Sequence, residues 1–145
     1  MYTNTEVVGA FRKMSLKYRS LGHTYVYLKK PMEKYSIERP DISVHNLILG
    51  DLYLDLCGVQ KTVNHKTKET CEITCYQRGW TNKDAFWVEG NVKDREGNVI
   101  WDFFGKWNES FSIKHKQSGE IIELWRMTPR HELWDHTYHF TLQGL

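Results

Sequence analysis

"AFWVEGNVKDREGNVIWDFF", residues 85 to 104, decides how the rest of the chain is read. Phe86, Val88, Gly90 and Val92 alternate with Trp87, Glu89, Asn91 and Lys93. A repeat of two residues places the first set on one side of an extended strand and the second on the other. "DREGN" then supplies turn chemistry, and "NVIWDFF" resumes the extended pattern, so the whole stretch predicts a β-hairpin.

Working outward, the same grammar repeats. "SLKYRS" and "HTYVYLK" flank Leu21-Gly22, "DLYLDLC" and "VQKTV" flank Gly58, "NHKTKE" separates 59–63 from 70–76, and "KQSGE" joins 110–115 to 120–126. About ten short strands at this spacing predict an all-β barrel or sandwich, and a mostly up-and-down, antiparallel order of them can close into a β-barrel. "PRHELWDH", residues 129–136, is the one helical turn expected, near the C-terminus, with Pro129 at its start. The first few residues are expected to fray. A barrel of this size can hold one small ligand, because each strand then has a lining face and a solvent face.

"FFGKWNESFSI", residues 103–113, interrupts its apolar residues with Gly105 to Glu109. Lys106 and Glu109 invite an acid–base reading. A strand junction explains them better: Gly105 permits a bulge or close approach, Trp107 fills the wall, and the polar residues satisfy backbone groups.

Composition bounds the function. The 145 residues carry 20 Lys and Arg against 18 acidic residues, so the net charge of +2 does not point to nucleic acid. Local basic stretches remain: Arg12, Lys13, Lys17 and Arg19; Lys29, Lys30 and Lys34; Lys61, Lys66 and Lys68. They read either as solvated faces or as a surface that meets anionic lipid. No run is long and apolar enough for a membrane-spanning helix. Three cysteines and no apolar signal segment predict a reduced, cytoplasmic setting.

Cys71 and Cys75 share a strand face but stand about 13 Å apart at about 3.3 Å per residue, so they read as small core residues. His131, His136 and His139, beside Glu132 and Asp135, fit no compact ligand spacing, and no metal or other cofactor is expected. No phosphate loop, nucleophile elbow or paired carboxylate points to an enzyme. Trp80, Trp87, Trp101 and Trp134 offer a sugar-stacking platform as a rival to core packing. In "MSLKYRS", Met14, Leu16 and Tyr18 form an apolar row that ends at Ser20, which suits an amphiphile with one polar end as well as ordinary packing.

Five blocks in order, "SVHNLILG" (43–50), "VNHKTKETCEI" (63–73), "QRGW" (77–80), "VEGNVKDREGNV" (88–99) and "FGKWNES" (104–110), resemble the lipid-binding domain of the oxysterol-binding protein family. Flanking segments extend the resemblance to nearly the whole chain. It implies a large incomplete β-barrel with a tunnel for sterol or phospholipid, non-enzymatic transfer between membranes, and a cytoplasmic protein that touches membrane surfaces. It nominates Leu16, Tyr18, Ser20, Val44 and Leu47 as tunnel wall. The family's Glu-Gln-Val-Ser-His-His-Pro-Pro stretch, whose histidines hold a phosphoinositide head group, does not occur here. Residues 1–145 are therefore expected to form a single domain resembling the second half of the barrel. Exposed strand edges would then await the missing barrel segments or a protein partner. The alternative is an interaction module that kept the β-fold without a working tunnel. Bulky Tyr18, Tyr25 and Phe86 meeting in the middle would mark it.

Overall fold

A computed structural model describes residues 1–12, 14–79 and 85–128. Ten strands follow in order: β1 (Tyr2–Arg12), β2 (Ser15–Leu28), β3 (Glu33–Ile37), β4 (Asp41–His45), β5 (Tyr53–Asn64), β6 (Thr70–Cys75), β7 (Trp87–Lys93), β8 (Val99–Lys106), β9 (Ser110–His115) and β10 (Ile121–Arg126). They make one antiparallel sheet in the order β1-β2-β3-β5-β6-β7-β8-β9-β10, with β4 bridging β2 and β5. β3 and β4 lie end to end: β3 pairs Thr24–Leu28 of β2, whereas β4 pairs Leu16–Tyr18. Pro40, which has no N–H to give a ladder, falls in the break between them. Among the described residues β1 and β10 each pair on one side only, so the sheet does not close.

The hairpin at 85–104 forms as the alternation requires, with Trp101 opposite Val92 and Phe103 opposite Gly90. Its turn is held by Asp94, whose carboxylate accepts the backbone N–H groups of Glu96 and Asn98, each at 2.9 Å. Two expected turns do not form. β2 runs unbroken through Gly22 (φ 101°) and β5 through Gly58 (φ 99°). A lone glycine lets an extended strand bend locally, and neither has the second turn-forming residue that reverses a chain. Nor do the first residues fray: β1 is paired to β2 along its length, beginning at Tyr2 opposite Tyr25. The helical turn expected at 129–136 lies outside the described residues.

"FFGKWNESFSI" is a hairpin rather than a bend within one strand. β8 ends at Lys106, β9 starts at Ser110, and the Glu109 N–H donates to the Lys106 carbonyl at 3.0 Å. Gly105 is required there, since a Cβ would sit 2.2 Å from the Ser110 carbonyl oxygen. Lys106 and Glu109 pair with each other across the turn at 2.9 Å.

Register separates two faces. Cys75, Val88 and Phe103 form the buried core of the inner face, with Leu56, Ile73, Trp107, Phe111 and Ile113 packed against it. The outer face carries charge in cross-strand groups such as Lys61 and Lys93 on Glu72. Their hydrogen bonds, Lys93's first, hold the Glu72 carboxyl below the usual carboxylate range. Trp87 and Trp101 fall on opposite faces by this register, so they build no common platform; Trp80 and Trp134 lie outside the described residues.

Candidate functional site

The inner face opens into a groove of about 470 Å³ where β2, β4 and β5 meet. Leu16, Tyr18 and Ser20 line it from β2, Ile42 and Val44 from β4, and Leu56 and Gln60 from β5, with Arg39 and Pro40 at the β3–β4 connection. Pairing makes these rows continuous. Tyr18 stands opposite Ile42 and Ile42 opposite Leu56, while Leu16 stands opposite Val44. Apolar side chains thus form most of the wall, and Ser20, Gln60 and Arg39 are its polar members.

The alternate residues of β2 hold that wall from behind. Lys17 reaches Asp41 at 3.0 Å, and the Arg19 guanidinium donates to both Asp41 oxygens at 3.2 Å. Burial pushes the Asp41 carboxyl up, but these cationic donors outweigh it and hold the group below its ordinary value. β2 and β4 are therefore pinned outside while their even-numbered side chains line the groove inside.

A second cluster braces β4 and β5. Asp55 is 1% exposed. Its carboxylate accepts the Arg78 backbone N–H at 3.3 Å and lies 3.7 Å from His45 Nε2. His45 stacks on Tyr53 at 4.7 Å, and the Arg78 guanidinium covers the same ring at 5.0 Å. The blocks "SVHNLILG" and "QRGW", far apart in sequence, meet here and seal a buried carboxylate.

Of the nominated residues, the fold brings Leu16, Tyr18, Ser20 and Val44 to one groove. Leu47 lies past the end of β4, where its N–H donates to the Met14 carbonyl at 3.1 Å. Ile42, Leu56 and Gln60 were missed, although alternation signals each: Ile42 stands two before Val44, and Gln60 continues the row Leu54, Leu56, Gly58. Arg39 and Pro40 had no such signal, being off the strands. The bulky residues do not meet across the groove. Tyr25 stacks on Tyr2 at 5.0 Å and Phe86 packs edge-on against Trp107 at 5.0 Å.

The described residues contain no group of three or more His, Cys, Asp or Glu able to hold a metal ion. Cys57, Cys71 and Cys75 are free thiols, and burial pushes those of Cys71 and Cys75 up, away from the reactive thiolate. Among the described residues no helix is long and apolar enough to cross a membrane.

Comparison with known proteins bears on the whole chain. The family model described as oxysterol-binding protein matches residues 1–143. Oxysterol-binding protein homolog 1 of Saccharomyces cerevisiae is 28% identical over 115 residues, covering 75% of this chain and 10% of that protein. Oxysterol-binding protein 11 of Dictyostelium discoideum is 31% identical over 121 residues, 79% of this chain and 21% of that protein. Among solved structures, the Osh1 ORD domain in complex with ergosterol superposes with a TM-score of 0.76 at 28% identity, over 88% of this chain and 35% of that one. The Osh3 ORD of Saccharomyces cerevisiae in complex with PI(4)P shares the fold, with a TM-score of 0.67 at 16% identity over 86% of this chain. The chain thus spans about a third of the solved domains and less of the curated relatives. The match over residues 1–143 and the shared fold show that the chain belongs to the oxysterol-binding protein family.

Proposed function

We propose that the chain binds a lipid on the inner face of its sheet and takes part in its non-enzymatic transfer between membranes, working in the cytoplasm at membrane surfaces. The observation that carries this reading is the groove at β2, β4 and β5, whose size falls within the range of small-ligand sites. An apolar body packs against Leu16, Tyr18, Ile42, Val44 and Leu56, and the ligand's polar group meets Ser20, Gln60 or Arg39. Binding needs no bond chemistry. Apolar surface covered by the wall gains about 25 cal/mol per Å², which must match what the same surface gains in the bilayer. Family membership supports the reading, as do the solved ORD domains in complex with ergosterol, cholesterol and PI(4)P.

In this reading residues 1–145 are one domain that supplies the second half of the family's barrel, and Leu47 extends the wall beyond Val44. Val7, Phe11, Ile121 and Trp125 are exposed on the two outermost strands, which favours further barrel segments or a protein partner beside them. Incubation with fluorescent sterol and with phosphoinositide-bearing liposomes tests the reading. Saturable sterol uptake by a folded chain is expected; a folded chain that takes up neither lipid overturns it.

A further inference from the structure

We propose that the tips of the β2–β3 and β5–β6 hairpins, with the tyrosines on the outer face beside them, dock onto an anionic lipid bilayer. The inference rests on the lipid-carrier reading and deepens it, naming the surface that meets the membrane, and it uses none of the groove residues.

Pairing of Val26 with Tyr35 and of Tyr35 with Asn64 sets the two tips side by side at one end of the sheet. They are also joined directly. Lys66 Nζ donates to the Pro31 carbonyl at 2.8 Å, and the His65 N–H donates to the Lys34 carbonyl at 2.8 Å. Lys29, Lys30, Lys34, Lys66 and Lys68 converge there. The two carboxylates in reach are engaged within their own hairpins: Glu33 accepts the Tyr35 hydroxyl at 2.5 Å, and Glu69 accepts the Thr67 hydroxyl at 2.7 Å.

The neighbouring tips at the same end are not basic. "DREGN" and "KQSGE" each balance or exceed their cations with acids, so the positive charge of this end is concentrated in two hairpins. Apolar and aromatic groups accompany it. Met32 is 68% exposed at the very tip, and Tyr2 and Tyr27 are more than half exposed. Lys34 lies 4.8 Å over the Tyr25 ring, which is itself stacked on Tyr2. Lysine facing anionic head groups, tyrosine at the interface and one flexible apolar side chain between them is the chemistry of a bilayer surface. Nucleic acid fits less well, because the cations in both tips are lysines, without the planar guanidinium that grips phosphate and stacks on bases. Six steps along β5 and its turn separate Gln60, the groove residue nearest the tips, from Lys66, about 20 Å at about 3.3 Å each, so docking leaves the groove undisturbed.

Vesicle flotation of the full chain tests the proposal, with pure phosphatidylcholine against phosphatidylcholine containing about 30% phosphatidylserine. Binding only to the anionic vesicles is expected, abolished near 1 M salt, where screening falls to about 3 Å. Lys30→Ala with Lys68→Ala is expected to weaken it about 30-fold, from the typical attraction of one lysine to such a surface. Met32→Ser weakens it less, and Arg95→Ala, in the neighbouring turn, leaves it unchanged. Sterol uptake measured on the same preparations is expected at the unsubstituted level throughout, so loss of one property is told apart from loss of the other. Anionic-vesicle binding that is absent, unaffected by the lysine pair, equally weakened by Arg95→Ala, or displaced by duplex DNA overturns the proposal.

Discussion

The wall built by β6 to β9 and the wall built by β2 and β4 follow the same alternation and end differently. In the first, Cys75 stands opposite Val88, Phe103 lies one pair along on the same face, opposite Gly90 and Ile113, and Phe111 completes the cover, so Val88 is only 2% exposed. In the second, Leu16, Tyr18, Ile42 and Val44 line an open groove, and Leu16 stays 39% exposed. The difference teaches that alternation assigns a side chain to a face, whereas burial depends on whether bulky neighbours on that face close over it. Core and ligand site are one inner surface, filled at one place and left open at another.

Substitutions at the two places should therefore separate stability from binding. Phe103→Ala is expected to cost about 4 kcal/mol by urea unfolding, the range for emptying an aromatic core position, and to remove sterol uptake only as the fold is lost. Gly90→Ala should follow at about 3 kcal/mol, because its Cβ would lie 1.9 Å from the Glu72 carbonyl oxygen and the pairing of β6 with β7 must open to admit it. Either variant unfolding like the unsubstituted chain would break the view of β6–β9 as the filled wall. Leu16→Ala is expected to cost less than about 1 kcal/mol, since much of that side chain is already in water, while weakening sterol uptake. Equal losses of stability at Leu16 and Phe103 would erase the distinction.

The smallest effect concerns acid. Asp41 and Glu72 both have depressed carboxyl values in the fold. The stability they contribute is complete above the unfolded value of about 4 and is lost as pH falls through the lower folded value. Asp41→Asn, behind the groove, and Glu72→Gln, behind the core, should each flatten the fall in stability below about pH 4, by under about 1 kcal/mol because both are surface ion pairs. Thermal melts across that range check it, and a steeper fall in either variant reverses the assignment.

Much of this was legible before folding. The 85–104 hairpin, the break at "NHKTKE" and the "KQSGE" turn could be read because each joins clear alternation to several turn-forming residues. Gly22 and Gly58 misled because a glycine marks a bend and a reversal alike, and only the strand beside it decides. Leu16, Tyr18 and Ser20 stood out as a row on one strand, but Ile42, Leu56 and Gln60 joined them only through cross-strand pairing. Asp55 gave no signal, since its burial depends on Arg78 and His45 arriving from distant segments.

The most direct test of the central claim is a fluorescent-sterol titration of the full chain beside Val44→Trp, which fills the groove and leaves the Cys75–Val88–Phe103 core intact. Saturable uptake by the unsubstituted chain and none by the variant, with matching circular dichroism, is the expected result. Uptake unchanged in the filled variant would contradict the groove as the lipid site.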